Sequence, residues 1–134
     1  MASYTYPCPL RWADMDAFGH VNNAAFATYL EEARRGMFAD LVPEDPRVRR
    51  VNSFVVAEQA MKFIKQLVHR PAPVSIVMSV SDVRAASFSL NCEIRDGEHV
   101  YLTATTLVVA YDLAVGRVRR LTDTEVRSLS RYLP

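Results

Sequence analysis

The sequence contains few cysteines, few lysines and no long apolar run, and each scarcity narrows the possible functions. Cys8 and Cys92 are the only two cysteines, so no disulfide framework and no cysteine metal cluster is expected. His20, His69 and His99 show no metal-ligand spacing with one another. Lysine supplies only 2 of the 16 basic residues, the rest being arginine, which suits forked contacts to carboxylate or phosphate. These features predict a reduced, cytoplasmic protein without a metal.

The absence of long apolar segments and of excess charge excludes two further classes. No apolar run approaches the roughly 20 residues that span a bilayer, and the first twelve residues lack the basic start and apolar stretch of a secretory signal. The formal net charge of +1 gives no field that would favour nucleic acid. With 134 residues, 50% of them hydrophobic, the sequence predicts one domain over 1–134 and neither a membrane nor a nucleic-acid partner.

The first third of the chain predicts a strand followed by a long helix. Apolar and polar residues alternate over 3–12, which is typical of a half-buried strand, and the two prolines there favour a sheet edge. Apolar residues then recur at three- and four-residue spacing over 23–40, which predicts an amphipathic helix with Asn22 or Asn23 as its N-cap. We expect residues 46–50, which follow, to form an exposed loop.

The remainder of the chain favours β structure. Runs rich in Val, Ile, Phe, Ser and Thr predict four antiparallel strands in a meander, at 54–70, 74–83, 87–95 and 100–111. Asp96-Gly97 is typical of a hairpin turn, and Thr122 with Glu125 forms a capping box at the start of a short final helix. This order predicts an α+β fold, in which one face of an antiparallel sheet of about five strands is covered by the long helix.

The segment from Arg11 to Asn23 carries the residues best suited to chemistry. Asp14, Asp16 and His20 lie between the predicted strand and the start of the helix. A helix start presents unpaired N–H groups and a partial positive charge, which can hold a carbonyl oxygen as it becomes an oxyanion. A carboxylate beside it could attack the carbonyl carbon or deprotonate water. The alternative is that both aspartates only form turns and caps.

The same segment resembles a known family. The pattern Arg11-Trp12-x-Asp14-x-Asp16-x-x-Gly19-His20-Val21-Asn22-Asn23, followed by Tyr29-x-Glu31-x-Ala33-Arg34, is similar to the opening of hot-dog-fold acyl-CoA thioesterases. The resemblance is to the 4-hydroxybenzoyl-CoA thioesterase type and its long-chain acyl-CoA relatives, and it extends over residues 4–120. It implies an antiparallel five-stranded sheet wrapped around one long central helix. It also implies a homodimer or homotetramer with its sites at the dimer interface.

The resemblance further implies an activity and roles for the loop residues. The activity is hydrolysis of an acyl-CoA thioester to a carboxylic acid and free CoA, with CoA as part of the substrate and no cofactor. Asp16 matches the catalytic aspartate, as nucleophile or general base, whereas Asp14 would shape the loop. The backbone N–H of Asn23 would polarise the thioester carbonyl. Gly19 belongs to the substrate loop, and His20 either bonds the Asp16 carboxylate or a water, or pins the turn through the backbone.

Other positions have two interpretations each. Glu31 matches an acidic helix position near the reactive end, but it could simply pair with Arg35 four residues later. Arg84, together with Ser87, matches the place that holds the CoA phosphates, or it is a solvated hairpin residue. Glu58 is either a satisfied buried acid or a wall of the site. Six further residues either line an acyl pocket or belong to the core: Phe18, Phe26, Tyr29, Phe54, Met61 and Phe63.

Two rival functions are compatible with the same fold. One is other acyl-thioester chemistry, namely hydrolysis of an acyl-carrier-protein thioester or hydration of an enoyl thioester. The other is a non-catalytic acyl-CoA sensor. The acyl group, and the choice between dimer and tetramer, are not determined by the sequence.

Overall fold

A curled antiparallel sheet with one long helix on its inner face forms the body of the molecule. The computed structural model describes residues 3–134, apart from the side chain of Asp40. The strands are β1 (Tyr4–Cys8), β2 (Ser53–Phe63), β3 (Val74–Ser81), β4 (Ser87–Arg95), β5 (Val100–Asp112) and β6 (Arg117–Val118). The helices are α1 (Asn23–Met37), α2 (Pro46–Val51) and α3 (Asp123–Ser130), with 3-10 turns at Trp12–Asp14 and Phe38–Asp40. No helix within residues 3–134 is long and apolar enough to cross a membrane.

The strand order is β1-β3-β4-β5-β2, with the short β6 paired to β5, and every pairing is antiparallel. The prediction of a simple meander is therefore wrong for β2, which lies beside β5 and not beside β3. The predicted strand 54–70 ends at Phe63, and residues 64–73 form a connection that crosses the sheet. Ten residues can extend over about 33 Å, whereas β2 and β3 are separated by three strand spacings of about 4.8 Å. The connection is thus long enough to span the two intervening strands.

The core lies between α1 and the inner face of the sheet. On α1 the predicted apolar stripe is buried at Phe26, Tyr29, Leu30, Ala33 and Met37, and Arg34, which the pattern did not include, is buried as well. Residues of β3 alternate between buried and half-buried, as period two requires for a strand with one covered face. Ile76 and Met78 on β3 and Phe88 and Leu90 on β4 are fully buried against the helix layer. The single long helix is thus the cover that the sequence predicted.

Several element ends differ from prediction for local reasons. The predicted loop at 46–50 is the helix α2, because Asp45 caps it by accepting the Arg47 N–H at 2.9 Å and Pro46 suits the first turn. The first strand stops at Cys8, before the second proline, and lies at the sheet edge as predicted. The capping box of Thr122 with Glu125 is confirmed at the start of α3.

Candidate active site

A tight turn between β1 and α1 presents Asp16. Met15 and Val21 form an isolated antiparallel bridge that closes the loop. Inside it, the Asp16 N–H donates to the His20 carbonyl oxygen at 2.9 Å, and the Gly19 N–H donates to the Asp16 carbonyl oxygen at 3.0 Å. Gly19 has φ +83°, a conformation that favours glycine. The turn thus holds Asp16 in a defined backbone position.

Two donors fix the direction of the Asp16 carboxylate. The Phe18 N–H donates to Oδ1 at 2.9 Å, and Asn22 Nδ2 makes a longer contact with Oδ2 at 3.4 Å. The same Asn22 side chain caps α1, because its Oδ1 accepts the Ala24 N–H at 2.8 Å. The carboxylate is therefore connected to the start of α1 through one side chain.

Among the described residues, the first turn of α1 leaves the N–H of Asn23 without a partner, and Asn23 lines the same cleft as Asp16. The N–H groups of Ala24 and Ala25 are taken by the Asn22 side chain and carbonyl oxygen. Within the described part of the chain, the N–H of Asn23 has no acceptor. Because a helix start also carries partial positive charge, this position suits an oxygen that gains negative charge.

Asp14 connects the loop to the middle of α1. Its carboxylate accepts the Tyr29 hydroxyl at 2.7 Å and two hydrogen bonds from Arg11, at 2.7 and 3.2 Å. The hydrogen bond from Arg11 lowers the pKa of Asp14, and burial followed by the hydrogen bond to Asp14 raises the pKa of Tyr29. The Asp14 carbonyl oxygen accepts the Asn22 N–H at 2.9 Å. These contacts support the hypothesis that Asp14 shapes the loop.

A cleft of about 390 Å³ opens at the Asp16 loop, and we call it the Asp16 cleft. It is lined by Asp16, Phe18, His20, Val21, Asn22, Asn23, Phe26, Phe63, Ile64, Lys65 and Gln66. The segment after β2 reaches the loop because the Val21 N–H donates to the Leu67 carbonyl oxygen at 2.7 Å. The rings of Phe26 and Phe63 lie 5.8 Å apart. The site thus combines a fixed carboxylate and a free helix N–H with an aromatic wall.

The structure brings together Asp16, His20 and Asn23 of the predicted residues, with Gly19 in the turn that joins them. His20 lines the cleft, but within residues 3–134 its imidazole makes no hydrogen bond. Of the alternatives for His20, a bond from the imidazole to the Asp16 carboxylate is not present among the described residues, and His20 accepts the Asp16 N–H through its carbonyl oxygen.

Other predicted residues lie elsewhere. Glu31 lines a second cleft, and its carboxylate lies 4.0 Å from Arg34 rather than pairing with Arg35 as expected. Arg84 and Ser87 form the β3–β4 hairpin, where the Arg84 N–H donates to the Ser87 carbonyl oxygen at 2.8 Å, and they line neither cleft. Glu58 is exposed, so its expected burial is wrong, because β2 lies at the sheet edge.

The sequence alone did not indicate some of the residues that line the site. Asn22 was identified only as a cap, although it also contacts Asp16. Ile64, Lys65 and Gln66 were assigned to a strand, and no local signal indicated that they reach the Asp16 loop. Among the described side chains of residues 3–134, no group of three or more His, Cys, Asp or Glu could hold a metal ion.

Comparison with known proteins gives a family match. The sequence matches the family model of the thioesterase-like superfamily over residues 10–125, whereas no curated protein matches it. The PA2801 protein of Pseudomonas aeruginosa is 28% identical, with a TM-score of 0.80 over 92% of this chain and 95% of that one.

Two further solved structures share the fold at lower identity. Slr0204, a 1,4-dihydroxy-2-naphthoyl-CoA thioesterase from Synechocystis, is 17% identical, with a TM-score of 0.81 over 96% of each chain. A thioesterase from Thermus thermophilus, complexed with coenzyme A and Zn, is 21% identical, with a TM-score of 0.80 over 93% of this chain and 95% of that one. The predicted hot-dog fold is confirmed.

Proposed function

This chain belongs to the thioesterase-like superfamily and is a thioester hydrolase, and we propose that it hydrolyses acyl-CoA to a carboxylic acid and free CoA with Asp16 as the catalytic group. The main support for this proposal is that a carboxylate held by hydrogen bonds and a free helix N–H line the same cleft. CoA bound to the similar Thermus thermophilus structure supports a CoA thioester as the substrate. The 4-hydroxybenzoyl type of acyl group stays a prediction.

In the general-base route, Asp16 takes a proton from water as the water oxygen bonds to the thioester carbon. The carbonyl oxygen gains negative charge and is stabilised by the Asn23 N–H and the partial charge of the α1 start. The tetrahedral intermediate then collapses and the C–S bond breaks. The sulfur leaves as thiolate and receives the proton, so that acid and CoA are released.

In the nucleophilic route, an Asp16 oxygen bonds directly to the thioester carbon and the thiolate leaves, which forms a mixed anhydride. Water then cleaves the anhydride and regenerates the carboxylate. Both routes need the same carboxylate and the same oxyanion donor. They differ in whether the enzyme is acylated, so trapping of an acylated Asp16 by rapid quench would separate them.

Replacing Asp16 tests the assignment. Asp16→Asn keeps the shape and an acceptor for the Phe18 N–H, but it removes the base and the nucleophile, so we expect hydrolysis to fall by at least about 100-fold. The measurement is thiol release from acyl-CoA substrates of increasing chain length, with circular dichroism for folding and calorimetry for CoA binding. The matched control is Asp123→Asn, on the exposed first turn of α3. Retention of most activity in Asp16→Asn would contradict the assignment.

We propose also that the protein functions as a homodimer joined along β2. This strand is 11 residues long. One of its edges pairs with β5, and within residues 3–134 no strand pairs with its other edge. Val56 and Phe63 on it are 46% and 43% exposed. Glu58 and Lys62 on the same strand are also exposed. A long, unpaired edge that carries exposed apolar side chains favours pairing with another chain. Two copies of β2 paired about a two-fold axis would extend the sheet without interruption.

This pairing would place two different clefts side by side. The Asp16 cleft lies at the C-terminal end of β2, at Phe63, and the second cleft lies at its N-terminal end, at Phe54 and Val55. Antiparallel pairing puts the C-terminal end of one strand beside the N-terminal end of the other. The Asp16 cleft of one protomer would thus adjoin the second cleft of its partner, and the acyl group would enter that cleft. Arg84 and Ser87 remain our candidates for contacts to the CoA phosphates.

A further inference from the structure

The second cleft, which we call the Arg34 cleft, combines apolar walls with positive charge. Its volume is about 610 Å³, within the range of small-molecule sites. Its apolar lining comes from Phe38, Ala39, Val42, Phe54, Val55, Val56, Val108 and Leu113. Its charged lining is Glu31, Arg34, Arg35 and Arg49, and Ser53 completes the wall. Among the described side chains, three cations against one carboxylate give the cleft an excess of positive charge.

Arg34 is the buried cation of this cleft. It is 9% exposed, and burial lowers its pKa. Its Nη1 donates to Gln59 Oε1 at 3.0 Å, an oxygen that also accepts the Thr106 hydroxyl at 2.9 Å. Among the described carboxylates, the one within 4.0 Å of it is that of Glu31, whose side chain is 78% exposed. A guanidinium with five donors is therefore held by a neutral amide, and none of the described carboxylates, which do not include that of Asp40, forms a close pair with it.

The other charges of the cleft do not neutralise Arg34. Arg35 is exposed on the next position of α1, and Arg49 donates from Nη1 to the Glu44 carbonyl oxygen at 3.4 Å. A buried charge is costly unless it is paired and hydrogen-bonded. A guanidinium in such a setting favours a carboxylate, which accepts two parallel hydrogen bonds and supplies the opposite charge. The apolar walls favour a hydrocarbon segment attached to that carboxylate.

We propose that the Arg34 cleft selects thioesters whose acyl group ends in a second carboxylate, the ω-carboxyacyl class, and that Arg34 binds that carboxylate. This inference rests on the proposed function and on the β2 pairing. Within one protomer, Asn23 and Arg34 are separated by 11 residues of α1, about 17 Å along the helix. A short acyl group on the Asp16 of one protomer reaches Arg34 only in the partner, across the paired strands.

The test compares two substrates of equal carbon number in the intact protein. Adipoyl-CoA and hexanoyl-CoA differ at the far end of the acyl group, where a carboxylate replaces a methyl group. We expect the kcat/KM of the wild type to be at least about tenfold higher for adipoyl-CoA, because a charge-assisted hydrogen bond in a buried site provides discrimination of that order. Arg34→Met, which keeps the apolar stem, is expected to reduce that ratio to about one or below, and Arg34→Lys is expected to be intermediate.

A matched control tests whether the effect on the adipoyl preference is specific to Arg34. Arg47→Met removes an arginine on α2 whose side chain is 94% exposed and outside the cleft, so the ratio should not change. An equal or higher kcat/KM for hexanoyl-CoA in the wild type would overturn the proposal. So would an adipoyl preference that persists in Arg34→Met.

Free acids provide a test that does not depend on turnover or on the folding of a variant. In the wild type, NMR titration with adipate and with hexanoate should shift signals of Phe54 and Leu113 at lower concentration for adipate. The absence of such shifts overturns the proposal. If no thioester is hydrolysed while adipate still binds, the proposed function fails and the anion site stands.

Discussion

At the scale of single residues, Asn22 performs two tasks with one amide group. Its oxygen caps α1 at the Ala24 N–H, and its nitrogen contacts the Asp16 carboxylate at 3.4 Å. The cap determines where the helix starts and therefore where the free N–H of Asn23 lies. The contact with Asp16 ties the carboxylate to the same point. Asn22 is thus a positioning residue for the proposed chemistry.

Replacing the amide separates these two tasks. Asn22→Asp and Asn22→Ser both keep a good N-cap, so we expect both variants to fold with unchanged α1. Asn22→Asp places a second carboxylate beside Asp16, and this like charge opposes proton loss from Asp16. The acid limb of the pH profile of kcat/KM should therefore move to higher pH by about one unit. Asn22→Ser lacks that charge and should leave the limb in place while lowering kcat. Identical profiles in the two variants would exclude a contact that acts on Asp16.

At the scale of elements, the Asp16 loop is held between β1 and α1 by Asp14. The side chain of Asp14 is only 8% exposed, and it bonds Arg11 on one side and Tyr29 of α1 on the other. The 3-10 turn at Trp12–Asp14 is therefore fixed to the helix by a charged hydrogen bond network. The ionised form of Asp14 strengthens these hydrogen bonds, which makes the attachment sensitive to acid.

The sign of this pH dependence follows from the pKa. The folded state lowers the pKa of Asp14. The contribution of this carboxylate to the free energy of unfolding is therefore complete above the pKa of the unfolded state, about 3.9, and is lost as the pH falls through the pKa of the folded state. We expect Asp14→Asn to reduce the free energy of unfolding by about 1–2 kcal/mol at pH 7 and by progressively less below about pH 4. Urea denaturation at pH 7 and pH 3 measures the difference. The matched control is Asp82→Asn, at an exposed position, whose effect on the free energy of unfolding should not depend on pH in this way. If Asp14→Asn lowers the free energy of unfolding equally at both pH values, the ionised Asp14 is not the source of the stabilisation.

At the scale of the whole molecule, the proposed dimer would unite the two clefts and the free strand edge in one arrangement. The Asp16 cleft and the Arg34 cleft lie at opposite ends of β2, whose outer edge is open within residues 3–134. Neither cleft alone offers both a reactive carboxylate and a positively charged apolar pocket. A two-fold pairing along β2 would bring both into one site, twice per dimer.

A charge placed on that edge tests the arrangement. Val56→Lys adds an unpaired charge to the exposed edge strand, so we expect the dimer to dissociate and hydrolysis to decrease with it. The matched control is Val48→Lys on α2, where the valine is similarly exposed, 43% against 46%. Light scattering during gel filtration, with activity measured on the same fractions, provides both readouts. A wild-type monomer with full activity would rule out the shared site.

The sequence by itself determined the features that depend on near neighbours in the chain. Residue periodicity and capping act over a few residues. They were therefore enough to predict the course of α1, the capping box of α3 and the span of β4. The position of Asp16 beside a helix start was predicted for the same reason. The family resemblance added the fold and the proposed role of that carboxylate.

Only the tertiary structure decided which distant segments meet. The pairing of β2 with β5 depends on a ten-residue crossing connection whose path no local pattern encodes. That crossing brings Lys65 and Gln66 to the Asp16 loop. The hydrogen bond of Tyr29 to Asp14 and the burial of Arg34 are equally invisible in the sequence. Contacts between remote residues are fixed by how the sheet curls over the helix, and the free energy that selects them comes from burial in the whole fold.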